Sequence, residues 1–305
     1  FPEYLALIGA YGKTLPVAFI AVFLITQITS IITLGIKTKF KASPFTFCFK
    51  KLKEKWQQDQ FFSLIWPIST LIILIPSFNI FKQTVLSERN FTTDPLLTNL
   101  DNLIFQGNPG AILHSFIGSL NTTLFFDNLY WIWFIPMIFG VFVVSLNSSP
   151  TLRIRYMNCY VFSWVFIGSI LAYLFPSAGP CFYIEFIDPN YTQHAQFINK
   201  IYDYHQEEKI HALILQKHLL NAFYEKNIIL GAGISAMPSV HVALAMVFSL
   251  ASFTLNKWLG YLMTIYALLI WIGSIYLGWH YFLDGLVSII LIILFWKKSM
   301  LFFKN

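Results

Sequence analysis

A chain of 305 residues is long enough for two soluble domains, but 57% of it is hydrophobic and only 11% is charged, which excludes an ordinary soluble globular protein. The net charge of +6 would suit a nucleic-acid partner in a soluble protein. In a chain this apolar it is accounted for by a topology signal and by attraction to anionic lipid, and nucleic acid is set aside.

Seven uncharged windows approach or reach the roughly 20 residues that cross a bilayer core. In chain order they run from Leu15 to Ile36, Phe61 to Phe81, Asn128 to Leu146, Asn158 to Ser177, Ser235 to Leu255, Trp258 to Leu277, and Gly285 to Trp296 with an extension towards Phe303. The expected fold is therefore all-α: a polytopic helix bundle with an N-terminal span and basic loop over residues 1–60 and a six-span core over 61–305. Phe1 stands where a methionine would be expected, which leaves room for a start, a signal or a further helix ahead of it. Cys48, Cys159 and Cys181 fall in three different segments, so no disulfide is expected.

Basic residues in the connections orient the bundle. Thirteen of the 20 lie on one side, in KTKFKASPFTFCFKKLKEK, SPTLRIR, LNKW and the tail, against only Glu54 and Asp59. Cytoplasmic loops carry such an excess, so the opposite, extracytoplasmic face receives the long segments 82–127 and 181–234. In the first, PGAILHSFIGSL places Ile112, Leu113, Phe116, Ile117 and Leu120 on one helical stripe. In the second, HQEEKIHALILQKHLLNAFYEK does the same with Ile210, Leu213, Ile214, Leu220 and Phe223. Both read as interfacial helices covering a site. All seven histidines fall on this face or at its membrane boundary. His205, His211 and His218 are spaced by six and seven residues, unlike the i, i+4 pair of helical zinc motifs, so neither a metal nor a cofactor is expected.

Two stretches carry chemistry. SAMPSVHVALAM opens the fifth window: Pro238 suits the first turn of a helix, whose free amides and positive dipole end suit phosphate. Ser239 adds a hydroxyl, and His241 adds a group that exchanges protons near neutral pH. GSIYLGWHYFLDGL lies at the outer end of the sixth window and the start of the seventh. There His280 and Asp284, four residues apart, let a carboxylate orient an imidazole and raise its basicity.

PSVH followed by HYFLD resembles the second and third signature motifs of the type 2 phosphatidic acid phosphatase superfamily, over roughly Phe61 to Phe303. The resemblance implies a six-helix membrane core and a transient phosphohistidine. His280 would attack phosphorus, Asp284 would orient it, and His241 would protonate the leaving oxygen. Ser239 and the neighbouring amide of Val240 would hold phosphoryl oxygens, and Tyr281 belongs to the same motif. The family's first signature, a lysine followed seven residues later by Arg-Pro, is absent. LFPSAGPCFY stands in its place, offering Ser177 and Gly179 either as substrate contacts or as part of a plain helix stop. The third signature's arginine is replaced by Ser274. Both departures resemble the inositol phosphorylceramide synthase and sphingomyelin synthase branch.

The expected function is thus a lipid phosphotransferase acting on a phospholipid or sphingolipid, with a lipid phosphatase as the alternative. An inactive lipid-binding scaffold or a transporter is the alternative from another class. Topology is testable by cysteine labelling: Lys51→Cys and Arg155→Cys are expected to resist an impermeant reagent applied from outside, and Glu208→Cys and His280→Cys to react. Labelling at position 51 from outside intact cells would reverse the orientation.

Overall fold

The computed structural model describes residues 60–147, 149–226, 228–229 and 231–299, with isolated positions before residue 60. The expected first span and the lysine-rich connection after it, including Cys48 and Lys51, otherwise lie outside the described residues. Every regular element among the described residues is helical. The longer ones are α1 (Gln60–Phe81), α2 (Asp94–Phe105), α3 (Pro109–Ile117), α4 (Leu120–Ile132), α5 (Phe134–Asn147), α6 (Pro150–Phe162), α7 (Thr192–Glu207), α8 (His211–Glu225), α9 (Val240–Leu255), α10 (Lys257–Tyr276) and α11 (Phe282–Ser299). Alpha1 continues into a wider π-helical turn at Lys82–Leu86, and α6 does so over Ser163–Leu171.

Four helices are long and apolar enough to cross a membrane: Trp66–Leu86, Leu120–Ser145, Pro150–Leu174 and Lys257–Tyr276. Alpha9 is apolar but has 16 residues, about 24 Å at 1.5 Å per residue. Alpha11 has 18 and carries Asp284 in its first turn and Lys297 and Lys298 in its last.

Two helices begin earlier than the uncharged windows. The third span starts at Leu120 and contains Asp127, and the fourth starts at Pro150 and contains Arg153 and Arg155. A window that stops at a charge misses helical turns whose polar side chains are partnered inside the protein. Arg155 and His280 are 8% and 6% exposed, so of the proposed labelling positions Glu208, which is exposed, is the one accessible enough to test the expected sidedness.

The chain divides into two compact units, residues 1–76 with 135–157 and residues 77–134 with 158–305. In the first, Leu71, Val141 and Phe142 are wholly buried and Tyr156 nearly so. In the second, α9 and α10 form a hairpin whose turn is capped by Asn256, its side chain accepting from the amides of Trp258 and Leu259. Alpha11 and the wide turns of α6 also pack on α9, and α4 lies along α10.

Close approach of α6 to α9 depends on Gly168. A Cβ there would lie 2.6 Å from Val240 Cγ2 and 2.8 Å from the Phe78 ring.

The connecting segments of the second unit form α2, α3, α7 and α8. Alpha2 is amphipathic in the inverted sense: Asp94, Thr98 and Asp101 are buried while Leu96, Leu103 and Ile104 are exposed. This suits a helix with protein on its polar side and lipid on its apolar side. Alpha3 departs from the expected stripe, because Gly110 and His114 face inward and Phe116 is 82% exposed. The reason is packing: Gly110 meets the Phe197 ring with no room for a side chain, and His114 stacks on Tyr276. Alpha8 buries Leu213 as expected, together with Gln216 and Leu219, but leaves Ile214 exposed.

Gly168→Ala is expected to lower stability in detergent by about 1–3 kcal/mol through overpacking, despite alanine's better helix propensity. Thermal unfolding at or above the wild-type temperature would show that this contact yields.

Candidate active site

The site is assembled at the amino ends of α9 and α11. Ser239 caps α9, its hydroxyl accepting from the amide of Val242 at 3.4 Å, so the helix begins at Val240 and Pro238 lies one residue before the cap, not in the first turn. The Ser239 amide donates to the Asp284 carbonyl at 3.2 Å, which ties the two helix starts together. Ser239 is fully buried, and its hydroxyl keeps a proton to donate while it caps. The first amides of α9, at Val240 and His241, point out of the helix end, where its dipole is positive.

His241 occupies the first turn between aromatic faces. Its ring centroid lies 4.1 Å from that of Trp133 and 4.7 Å from that of Tyr130, and its carbonyl accepts from Trp133 Nε1 at 3.1 Å. Aromatic faces favour a cationic ring over a neutral one. The His280 ring lies across from it, centroids 6.3 Å apart.

His280 is set by its backbone and by Asp284. Its amide donates to the Ser274 carbonyl at 3.2 Å, as does that of Trp279 at 2.9 Å. Gly278, at φ +75, makes the turn after α10. His280 Nδ1 lies 3.1 Å from Asp284 Oδ2, which also accepts from the Tyr281 amide at 3.0 Å. With Nδ1 donating to the carboxylate, the Nε2 lone pair is left free. Ser274 is wholly buried and its hydroxyl donates to the Trp271 carbonyl, so it acts on His280 through its own carbonyl.

Two carboxylates that the sequence motifs did not reveal brace this arrangement. Asp101 of α2 accepts from the Phe282 amide at 2.8 Å, capping α11 from outside its own chain segment. Asp94 accepts from the amides of Ala178 and Gly179, both at 2.9 Å, and from the Tyr281 hydroxyl at 2.9 Å. The loop after α6 is thereby fastened to the His280 turn. Ser177 completes the fastening on the other side, its hydroxyl accepting from the Met237 amide and its carbonyl from the Ala236 amide. Gly179 sits at φ +99 with Trp279 O 2.6 Å from where a Cβ would be, so only glycine fits. Ser177, Gly179 and Tyr281 are thus brought to the site and are engaged in holding its walls. A signal for the missed pair was present: two aspartates, one followed by Pro95, in an otherwise apolar or neutral run, DPLLTNLDNLIF.

Of the remaining histidines, all but His218 have partners of their own away from the His241–His280 pair. His211 and the amide of Ala212 are held by Asp127 of α4 at 2.8–2.9 Å, which docks α8 on that helix. His205 accepts from the Ile210 amide, and His218 is exposed. His194 lies between Asn108 and Thr98, and burial holds its imidazole down at about 3, neutral at any ordinary pH. Among the described residues no group of three or more His, Cys, Asp or Glu side chains is placed to hold a metal ion.

Burial pushes Asp94 and Asp101 up to about 6, against the backbone donors that pull them down. Between the ordinary value of 3.8 and about 6 the folded chain retains protons that the unfolded chain has released. Raising the pH through that window therefore removes stability. Above it both are carboxylates with their full acceptor capacity. Activity is expected to fall as pH drops below about 6, while these two groups move thermal stability the opposite way. Asp94→Ala leaves two amides and a hydroxyl unpartnered, each costing about 1–3 kcal/mol if it stays buried. Turnover should drop about 10²-fold through misplacement of the His280 turn. Unchanged turnover in that variant, measured beside its melting temperature, would remove Asp94 from the site.

Comparison with known proteins follows the same segment. The family described as PAP2 superfamily matches residues 102–297. No curated protein matches the chain, and no solved structure does. The matched residues include His241, His280, Asp284, Ser239 and Gly179, whereas Asp94 and Asp101 precede them. With well over half of its length matched and four helices able to span a bilayer, this chain is a membrane protein that belongs to the PAP2 superfamily, a membership that supports a phosphatase-type enzyme of lipid metabolism.

Proposed function

We propose that the chain is a lipid phosphotransferase whose nucleophile is His280, working at the extracytoplasmic face. The observation that carries the reading is the His280 Nδ1 to Asp284 Oδ2 contact of 3.1 Å, with the His241 ring 6.3 Å away across the same site. A neutral imidazole whose Nδ1 proton is held by a carboxylate presents a basic Nε2, the arrangement that activates a nucleophile.

In the first step His280 Nε2 attacks phosphorus, the bond from phosphorus to the leaving alcohol oxygen breaks, and His241 gives that oxygen a proton. In the second step an acceptor alcohol or water attacks the phosphohistidine. The phosphorus–nitrogen bond breaks, and His241 takes the acceptor's proton. Asp284 balances the imidazolium character of His280 between the steps, and the Val240 and His241 amides with the Ser239 hydroxyl face the phosphoryl oxygens. Tyr130 and Trp133 fix the orientation of the His241 ring.

A phosphate monoester approaches two negative charges at neutral pH, and a diester carries one. A site without the family's Lys and Arg-Pro signature, and with Ser274 in place of its later arginine, desolvates the dianion at greater cost. The preferred reaction is therefore transfer of a head group from a phosphodiester phospholipid to a lipid alcohol, with hydrolysis when water takes the acceptor's place.

His280→Ala is expected to lower turnover by about 10² to 10⁴ in a protein that still inserts and folds. Near-normal turnover would end the phosphohistidine reading. A parallel assay of phosphatidic acid and of phosphatidylinositol, with and without ceramide or diacylglycerol, separates the reactions. Phosphate release from phosphatidic acid with no action on any diester would make the enzyme a lipid phosphatase.

A further inference from the structure

Beside the His280 turn, where α2, α3 and α7 meet the start of α11, the packing leaves a small chamber. About 10 Å³ of it is open to the centre of a water molecule, which is the room that one water needs. Its polar walls are Thr98 and Asp101 of α2, Asn108 at the cap of α3, His194 of α7, and His280 with Tyr281. All six are buried.

Most of these groups are engaged, and the direction of each bond follows from its partners. Asn108 Oδ1 accepts from the Ala111 amide at 3.0 Å, so it is Asn108 Nδ2 that faces His194 Nδ1 at 2.7 Å and donates to it. A neutral His194 then carries its proton on Nε2, which lies 3.3 Å from Thr98 Oγ1 and donates there. At the other end, Asp101 Oδ2 accepts from the Phe282 amide at 2.8 Å, two residues beyond His280. One acceptor between these ends is unanswered. Asp101 Oδ1 is buried and has no hydrogen-bond partner among the described residues, a costly condition for a carboxylate oxygen. Thr98 and Asp101 are three residues apart on α2 and share a face, and both border the chamber. Two oxygens are too few for a hard metal ion, which takes about six. They suit a water, which takes two to four partners.

We propose that the chamber is a binding site for one water molecule that bridges Asp101 Oδ1 and Thr98 Oγ1, and that His194 is a positioning residue acting on His280 through this bridge. The water donates one hydrogen to each oxygen. A continuous chain then runs from the cap of α3 through His194, Thr98, the water and Asp101 to the Phe282 amide, so that three helices fix the turn carrying His280. Only hydrogen bonds are involved, and no proton changes owner. The water site stands by itself, whereas the role of His194 rests on His280 as the nucleophile, and the experiment keeps the two apart.

The first measurement is an experimental map of the purified wild-type protein at a resolution that shows ordered water. Density for a water within about 3.2 Å of both Asp101 Oδ1 and Thr98 Oγ1 is expected. An empty chamber, or Asp101 Oδ1 paired with a protein donor, would overturn the water site. The second measures kcat and KM, for whichever lipid phosphate ester the wild type consumes, in His194→Gln, His194→Phe, Thr98→Val and His280→Ala. His194→Phe keeps a ring but breaks the chain, Thr98→Val keeps the shape but removes the oxygen, and His194→Gln keeps an N–H that can reach Thr98. In His194→Phe and Thr98→Val kcat should fall about 10-fold through misplacement of the nucleophile with KM unchanged, while His194→Gln should retain most of the wild-type kcat. Wild-type kcat in Thr98→Val, or an equal loss in His194→Gln and His194→Phe, would overturn the role of His194, and Thr98→Val decides where His194→Phe does not fold. Normal turnover in His280→Ala would overturn the reading beneath that role and leave the water site standing.

Discussion

A carboxylate removed from water must be met by donors, and three such groups, Asp94, Asp101 and Asp284, are at most 2% exposed around one short stretch of chain. The donors available to them are backbone amides at the start of α11 and in the loop before Pro180, the Tyr281 hydroxyl, and His280. Satisfying the carboxylates therefore places the His280 turn, the Ser177 to Gly179 loop and the start of α9 in one arrangement. Satisfaction is incomplete: Asp101 Oδ1 and Asp284 Oδ1 have no hydrogen-bond partner among the described residues. Strained accounting of this kind is common where groups are held for chemistry at the expense of stability.

Alpha2 is the element through which this constraint acts at a distance. Its polar stripe of Asp94, Thr98 and Asp101 reaches the loop after α6, His194 of α7 and the start of α11, with Leu97 buried beside it, while Leu96, Leu100 and Leu103 face outward. A helix lying in a bilayer interface can present apolar residues to lipid at no cost, so its protein side is free to be polar. One helix thus holds the loop after α6, α7 and the start of α11 together.

The two histidines sit in different surroundings, which suits different roles. His280 is nearly buried and paired to Asp284; His241 is half-buried and faces aromatic rings, with the backbone amides of a helix end beside it. An imidazole whose Nδ1 proton is engaged by a carboxylate presents a basic Nε2, whereas a ring held between aromatic faces is fixed in orientation and has no carboxylate partner. The Ser239 cap and the Ser239 amide to Asp284 carbonyl bond keep the rings in register, since α9 and α11 cannot shift separately without breaking it.

Much of this was legible in the residues themselves. Helical class and the approximate spans follow from hydropathy, because a bilayer core demands a length of apolar helix whatever the packing. His280 with Asp284, and PSVH ahead of an apolar run, are local patterns whose spacing on a helix is independent of the rest of the chain. Two kinds of feature were not legible. Helix starts at Leu120 and Pro150 lie beyond the uncharged windows because Asp127 is answered by α8 and the arginines are buried, and such partners are distant in sequence. The inward face of α3 is chosen by Phe197 and Tyr276, so its most apolar stripe is not its buried one. Asp94 lies 187 residues from Tyr281 and 84 from Ala178, and only the fold brings them within a hydrogen bond. The sequence alone determined the candidate side chains, His241, His280 and Asp284, because their pairing depends on functional groups and short helical spacing. The tertiary structure decided which aspartates hold them, because hydrogen bonds act across a few ångströms of space regardless of separation along the chain.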